Sequence, residues 1–464
     1  MAFRFSHIKP SNALLAVTMF YRLDFEFASD TVMEYQRIVA PGEGHRNRAQ
    51  NVQPEISSVL DRCNSLKNTI VRLQFMFGGT TRHGTGFFVN LPSSTHDVIL
   101  TAAHNLIDEK KTRATNMMVI YGDNDREPAT EFRICPTYEK YLETDPKSDE
   151  RGIYDYGVIL LAKNPLLQSK RQGMGLSLGI CYDDTLRVSK EVRVSGYDGK
   201  DGDSPIQSSG PLVRAGNQLE YLAPTEPGMS GSAVWIPYGG HPMVVGIHNM
   251  APKQELKLGP KPTPKPGSRG ARITDEVFRN LCLWTRVGFF NKRLCVMGTK
   301  SRPHNTYLCF SRHCEFAKVF LGSSDSAMAQ DNVAFDILPA TVPPVWAQKS
   351  SPLWAFKFCK PPGWGGKGKC WVEWRPSRQQ AVLVDTFKEM NLVRFQEATL
   401  KGGKKRLCIV LPDGMDESQN QELRLYDDNR EEEDIEDGMT EFAGVLFADQ
   451  GDKNALGSRF FLIE

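Results

Sequence analysis

The 464-residue chain lacks an excess of charge of one sign: 57 lysines and arginines face 55 aspartates and glutamates, a formal net charge of +2. Nucleic-acid binders normally carry a basic surplus, so no nucleic-acid partner is expected. Long apolar runs are missing too. None approaches the roughly 20 residues that a membrane-spanning helix needs, so no transmembrane segment is expected. The ten cysteines include no Cys-x-x-Cys pair and no zinc-site spacing. Nucleotide and flavin signatures are absent as well, so neither a metal nor a cofactor is implied. Most of the cysteines read as buried thiols. Cys309, Cys314, Cys359 and Cys370 lie densely enough to pair in an oxidising compartment.

What is present is ordinary globular composition, with 40% hydrophobic and 24% charged residues. The length leaves room for two or three domains. Near the N-terminus, Arg4 and Lys9 precede an apolar stretch, Ala13 to Tyr21, in the order of a secretory leader. Arg22, Asp24 and Glu26 follow at once, without a small-x-small cleavage site. The stretch therefore reads as part of an N-terminal extension, residues 1–54, ending in a polar linker from Pro41 to Pro54. A soluble protein is expected, with secretion left open.

From Thr69 the character changes to short β-branched and aromatic runs separated by Gly, Pro, Asn and Asp turns. Strands are expected at Ile70–Phe77, Gly86–Asn90, Val98–Thr101, Met117–Tyr121, Gly157–Leu161, Glu191–Gly196, Leu219–Leu222, Ser232–Ile236 and Met243–Ile247. No βαβ alternation occurs, so an all-β barrel or sandwich is expected. Prolines 260, 262, 264 and 266 mark Lys257 to Gly270 as an exposed loop. Thr274 to Trp284 reads as a helix capped by Thr274, with Val277, Phe278, Leu281 and Leu283 as its apolar side. Residues 55–289 thus form one domain. Residues 290–464 form a second, mostly β region of unknown function, with strands such as Ala355–Cys359 and Arg406–Leu411.

Three local motifs carry chemistry. Leu100-Thr101-Ala102-Ala103-His104 ends one strand. Tyr154-Asp155-Tyr156-Gly157 puts a carboxylate at the mouth of another. Pro227-Gly228-Met229-Ser230-Gly231-Ser232 is a glycine-rich turn leading into a third. Each alone fits a structural histidine, a strand cap or a tight turn. Together they supply a hydroxyl nucleophile, an imidazole base and a carboxylate to hold that base. The glycines let the N–H groups of Gly228 and Ser230 converge on an oxyanion. The order His, Asp, Ser separates the chain from subtilisin-like and α/β-hydrolase enzymes.

On these motifs residues from about 60 to 286 resemble the trypsin-like serine proteases. The resemblance implies a double six-stranded β-barrel closed by a C-terminal helix. It also implies His104, Asp155 and Ser230 as catalytic triad, and protein or peptide substrates. Met229 stands where zymogen-activated members carry an acid, and Asn105 where many carry a cysteine. Within the family the chain resembles the V8-like, glutamyl-endopeptidase branch, through Thr225, His248 and Ser232. There the matching Thr and His line the S1 pocket and bind an acidic P1 side chain, and residues 249 to 251, here Asn249, Met250 and Ala251, offer backbone groups to substrate. The alternative is a catalytically silent binding module on a protease fold. A third reading makes the chain a membrane-surface or nucleic-acid interactor through Lys401 to Arg406, offset by the nearby acidic run; Trp364, Trp371 and Trp374 near Lys367 and Lys369 fit a ligand platform or, more simply, core packing. The acidic run Arg430 to Asp437 reads as a solvated loop, and would itself be a substrate for an enzyme selecting acidic residues. Oligomeric state is not legible.

Overall fold

The computed structural model describes residues 66–296 with short internal gaps, the longest spanning 252–266, and a series of strands between 306 and 463. The expected N-terminal extension, the linker at 41–54, Trp364 and the acidic run at 430–437 lie outside the described residues. The chain divides into two compact units, one of residues 36–287 with 341–349, the other of residues 1–35, 288–340 and 350–464.

The first unit begins with β1 (Ile70–Phe77) and β2 (Thr80–Val89). The hairpin between them turns on Gly78 and Gly79 with φ of +54° and +87°. Two successive positive φ values match the right-handed twist of the flanking strands, and glycine adopts them without a Cβ clash. In β1 the buried Val71, Leu73 and Phe75 alternate with half-buried Arg72 and Gln74, the period of a strand with one face in a core. There follow β3 (His96–Thr101), β4 (Thr115–Tyr121), β5 (Asp125–Pro128), β6 (Glu131–Ile134) and β7 (Gly157–Ala162), with helix α1 (Pro136–Thr144) between the last two. These strands make one antiparallel sheet in the order β5-β4-β1-β2-β3-β7-β6.

After the short β8 (Leu176–Ser177) and α2 (Leu178–Tyr182) come β9 (Val192–Gly196), β10 (Ile206–Gly210), β11 (Leu212–Ala215) and β12 (Gln218–Tyr221). Then follow β13 (Ala233–Tyr238), β14 (His241–Met250) and β15 (Ser268–Arg272). The second sheet runs β10-β9-β13-β14-β15-β12-β11. Two antiparallel sheets, each built from consecutive chain, form the double-barrel architecture expected from the motifs. Each has seven strands against the six expected. Short, half-exposed pieces such as β5 and β11 carry too little apolar alternation to be read in sequence.

Helix α3 (Asp275–Thr285) follows, capped by Thr274, whose side chain accepts from Val277 N. Its buried side is Val277, Phe278, Leu281, Cys282 and Thr285. Leu283, assigned to that side from the sequence, is 43% exposed. The correction follows from the 3.6-residue period, because 278, 281, 282 and 285 share a face and 283 turns away. The loop expected over Lys257 to Gly270 also ends early. Ser268 and Gly270 are buried in β15, past the last proline.

The second unit is β-rich among its described residues, from Phe289–Val296 to Phe461–Ile463. Its described core holds Phe335, Trp354, Phe356 and Trp371. Trp371 is fully buried with Lys357 Nζ 5.4 Å from its ring centre, so it is core rather than platform. Cys135, Cys181, Cys282, Cys359 and Cys370 are free thiols. Among the described residues no helix is long and apolar enough to cross a membrane.

One buried cation sews the first sheet. Arg171 donates to Asp97 Oδ2 (2.7 Å), the Ala162 carbonyl (2.9 Å), the Tyr121 hydroxyl (3.0 Å) and both Glu127 oxygens. These partners sit on β3, β7, β4 and β5. Nothing in the sequence marks it, because its partners are far apart along the chain. Replacing Arg171 by Met removes the cation and strands the partly buried Asp97 and Glu127. We expect a loss of about 3 kcal/mol, read from a urea melt of the intact chain.

Candidate active site

The turn after β12 is shaped by two glycines that nothing larger can replace. Gly228 has φ +95°, and a Cβ on it would lie 2.5 Å from Gly199 N. Gly231 has φ +90°, and a Cβ there would lie 2.0 Å from the Thr85 carbonyl oxygen. Both the conformation and the space demand glycine. Met229 between them is fully buried, and its Sδ accepts from Glu226 N at 3.3 Å. The position where an acid would stand in a zymogen switch is thus a core side chain.

The other sheet holds this turn in place. Thr85 N donates to Ser230 O (2.8 Å) and Thr85 Oγ1 to Gly228 O (2.9 Å). Asn105 Nδ2 donates to Ser230 O (2.9 Å) and also to Thr101 Oγ1 (3.0 Å). Asn105 adjoins His104 in a 3₁₀ turn at the end of β3. Histidine and serine are therefore carried on one hydrogen-bonded framework. Asn105 was noted in the sequence only as a residue that is not cysteine. No local pattern marked it, because its burial and its partner, the Ser230 carbonyl, are set by tertiary structure.

His104 and Asp155 meet as expected. Nδ1 of His104 lies 2.7 Å from Asp155 Oδ2, and the backbone N of His104 donates to Oδ1 at 2.9 Å. Asp155 is buried, while the His104 side chain keeps 33% of its surface exposed. Burial lowers the His104 pKa, but the charge and hydrogen bond of Asp155 outweigh it, so the pKa is raised above 6.5 despite a small opposing effect of Arg151. Ser230 Oγ makes no hydrogen bond to any described residue. Hydrogen bonds to a nucleophile often tighten only with substrate in place. The N–H groups of Gly228 and Ser230 donate to no described residue either. Two free amides beside a free hydroxyl can receive a developing oxyanion.

His248 is buried on β14, and its Nδ1 lies 2.7 Å from the Tyr221 hydroxyl. Burial, and next the charge of His104, lower its pKa to about 4, offset in part by a hydrogen bond to the Arg269 backbone and by Asp155. The ring is neutral above that pH. Thr225 is half-buried, with Oγ1 2.9 Å from Ser268 Oγ, which donates to Ala223 O. Tyr221 and Ser268 were not singled out in the sequence. Asn249 sits at a register shift between β14 and β15, where it is turned to donate from Nδ2 to Gly152 O at 2.6 Å. It thereby ties β14 to the 3₁₀ turn that precedes Asp155. Met250 is half-buried at the end of β14. The Ser232 hydroxyl is buried against Gly196 without a partner.

No family model matches the chain, and no curated protein does. Solved structures do resemble it. One is a thermostable serine protease from an extremophilic microorganism, at 12% identity, covering 47% of this chain and 98% of that one with a TM-score of 0.35. Another is a human pathogenic astrovirus serine protease, at 20% identity, covering 46% and 95% with a TM-score of 0.28. A third is an inactivated protease paralogue from the scabies mite, at 14% identity, covering 47% and 95% with a TM-score of 0.31.

The His104 environment makes a direct prediction. In Asp155→Asn the carboxylate charge, the larger of the two influences that raise the imidazole pKa, is lost, while burial and Arg151 remain. The His104 pKa should then fall from above 6.5 to below it. A proton NMR titration of the imidazole, wild type beside variant, checks the sign.

Proposed function

We propose that this chain is a serine endopeptidase acting through an acyl-enzyme, with Ser230 as nucleophile, His104 as general base and Asp155 as its orienting carboxylate. The observation that carries this is the His104–Asp155 pair held to the Ser230 turn through Asn105, beside two unengaged amides. Ser230 Oγ attacks the scissile carbonyl while His104 takes its proton. The anionic oxygen is received by Gly228 N–H and Ser230 N–H. The imidazolium, stabilised by Asp155, then protonates the leaving amine. Deacylation by water repeats the sequence. The missing Ser230–His104 hydrogen bond is the observation that favours a silent binding module instead.

An acidic P1 side chain is proposed for the pocket beside His248 and Thr225. The Tyr221 hydroxyl lies 2.7 Å from His248 Nδ1 and 3.3 Å from Arg269 O. In the tautomer in which Nδ1 accepts from Tyr221, Nε2 carries hydrogen and can donate to a carboxylate oxygen. The same neutrality favours a second reading, because a neutral His248 does not offset the charge of a buried carboxylate. A carboxamide meets the same donor without that cost.

A fluorophosphonate probe should label the wild-type protein and leave Ser230→Ala unlabelled. Labelling of neither would sustain the binding module. Cleavage of a peptide library should concentrate after Glu, with Gln the outcome if an uncharged occupant is preferred. Cuts after Lys, Arg or Phe would reject both. In Asn105→Ala the serine turn loses one anchor, and kcat/KM should fall by about 10- to 100-fold.

A further inference from the structure

Next to Gly228 lies a shallow hollow open to solvent. It is lined by Arg72, His83, Tyr197, Asp198, Gly199 and Gly228. The two directions out of the Ser230 turn differ. Gly231 N donates to His248 O, toward the proposed P1 pocket, whereas Gly228 abuts Gly199, toward this hollow. A peptide whose acyl side lies at His248 runs its leaving side this way.

The hollow carries two uncompensated charges. Arg72 is half-buried on β1, directly opposite Thr85 in the β1–β2 register. It makes no ion pair or hydrogen bond with any described residue, and neither does Asp198, also half-buried. Arg72 and Asp198 therefore share the hollow without touching each other. A guanidinium cannot shed its charge to escape desolvation. Whatever covers the hollow must replace water on both groups. An acidic side chain would satisfy Arg72 and oppose Asp198, and a basic one would do the reverse. A carboxamide offers a carbonyl acceptor and an N–H donor at once.

We infer that this hollow is a leaving-group subsite in which Arg72 and Asp198 select an asparagine or glutamine side chain, within the first two residues after the scissile bond. Its place in the substrate rests on the hydrolase reading, but its binding preference can be measured without turnover.

The test uses the full-length Ser230→Ala protein and fluorescent octapeptides with Glu at P1, carrying Gln, Glu, Lys or Leu at each of the next two positions. Binding is read by anisotropy, and cleavage of the same peptides by wild type is read in parallel. Gln should bind about tenfold more tightly than Glu, Lys or Leu at one of the two positions. Asp198→Asn should shift the preference to Glu, and Arg72→Met toward Lys. An order unchanged in both variants, Leu equal to Gln, or no binding of any peptide overturns the subsite. If the binding order holds while wild type cleaves nothing, the subsite stands and the hydrolase reading falls. If wild type cleaves without discriminating, the reverse is true.

Discussion

The site depends on one clamp between two sheets. The carbonyl of Ser230 accepts from Thr85 N and from Asn105 Nδ2, and the carbonyl of Gly228 accepts from the Thr85 hydroxyl. These bonds turn the carbonyls toward the first sheet and leave the amides of Gly228 and Ser230 unengaged. The clamp tolerates no bulk, since a Cβ at Gly231 would sit on the Thr85 carbonyl oxygen itself. A strained turn of this kind persists only where its surroundings over-determine it. Here the surroundings are Asn105 just after β3, Thr85 of β2 and the carbonyl of His248, which accepts from Gly231 N.

Two histidines close to that clamp are driven in opposite directions. His104 has a carboxylate on Nδ1 and a partly open ring, and its pKa is raised. His248 is buried with a phenol on Nδ1, and its pKa is lowered to about 4. Each lies within electrostatic reach of the other, since the His104 charge contributes to the lowering of His248. Divergent environments divide roles between like side chains. The first histidine is suited to take and return a proton near neutral pH, the second to remain a neutral hydrogen-bond partner throughout. The hollow at Arg72 and Asp198 adds a third electrostatic character, a separated pair of opposite charges.

Much of the frame was legible before any coordinates. The strand runs of the first unit, the Thr274 cap and the β character of the second unit follow from local alternation, β-branching and capping chemistry, which act over a few residues. The errors were local as well. Leu283 was placed on the wrong helix face, and the proline-rich loop was extended over Ser268 to Gly270. Strands β5, β6, β10 and β11 escaped notice because edge strands with half-exposed faces carry little hydrophobic pattern.

The amino-acid order by itself determined that a histidine, an aspartate and a serine flanked by glycines stand at strand ends in a β-rich chain. It also placed glycine on both sides of Ser230, and tolerance of positive φ is a property of that residue. Only the tertiary structure decided what these groups meet: Asp155 on His104, Asn105 on the serine carbonyl, Tyr221 on His248, Arg171 on Asp97 and Glu127. Those partners lie tens of residues apart. Hydrogen bonding and Coulomb attraction fall off over a few ångströms in space and are indifferent to distance along the chain, so no local pattern records them.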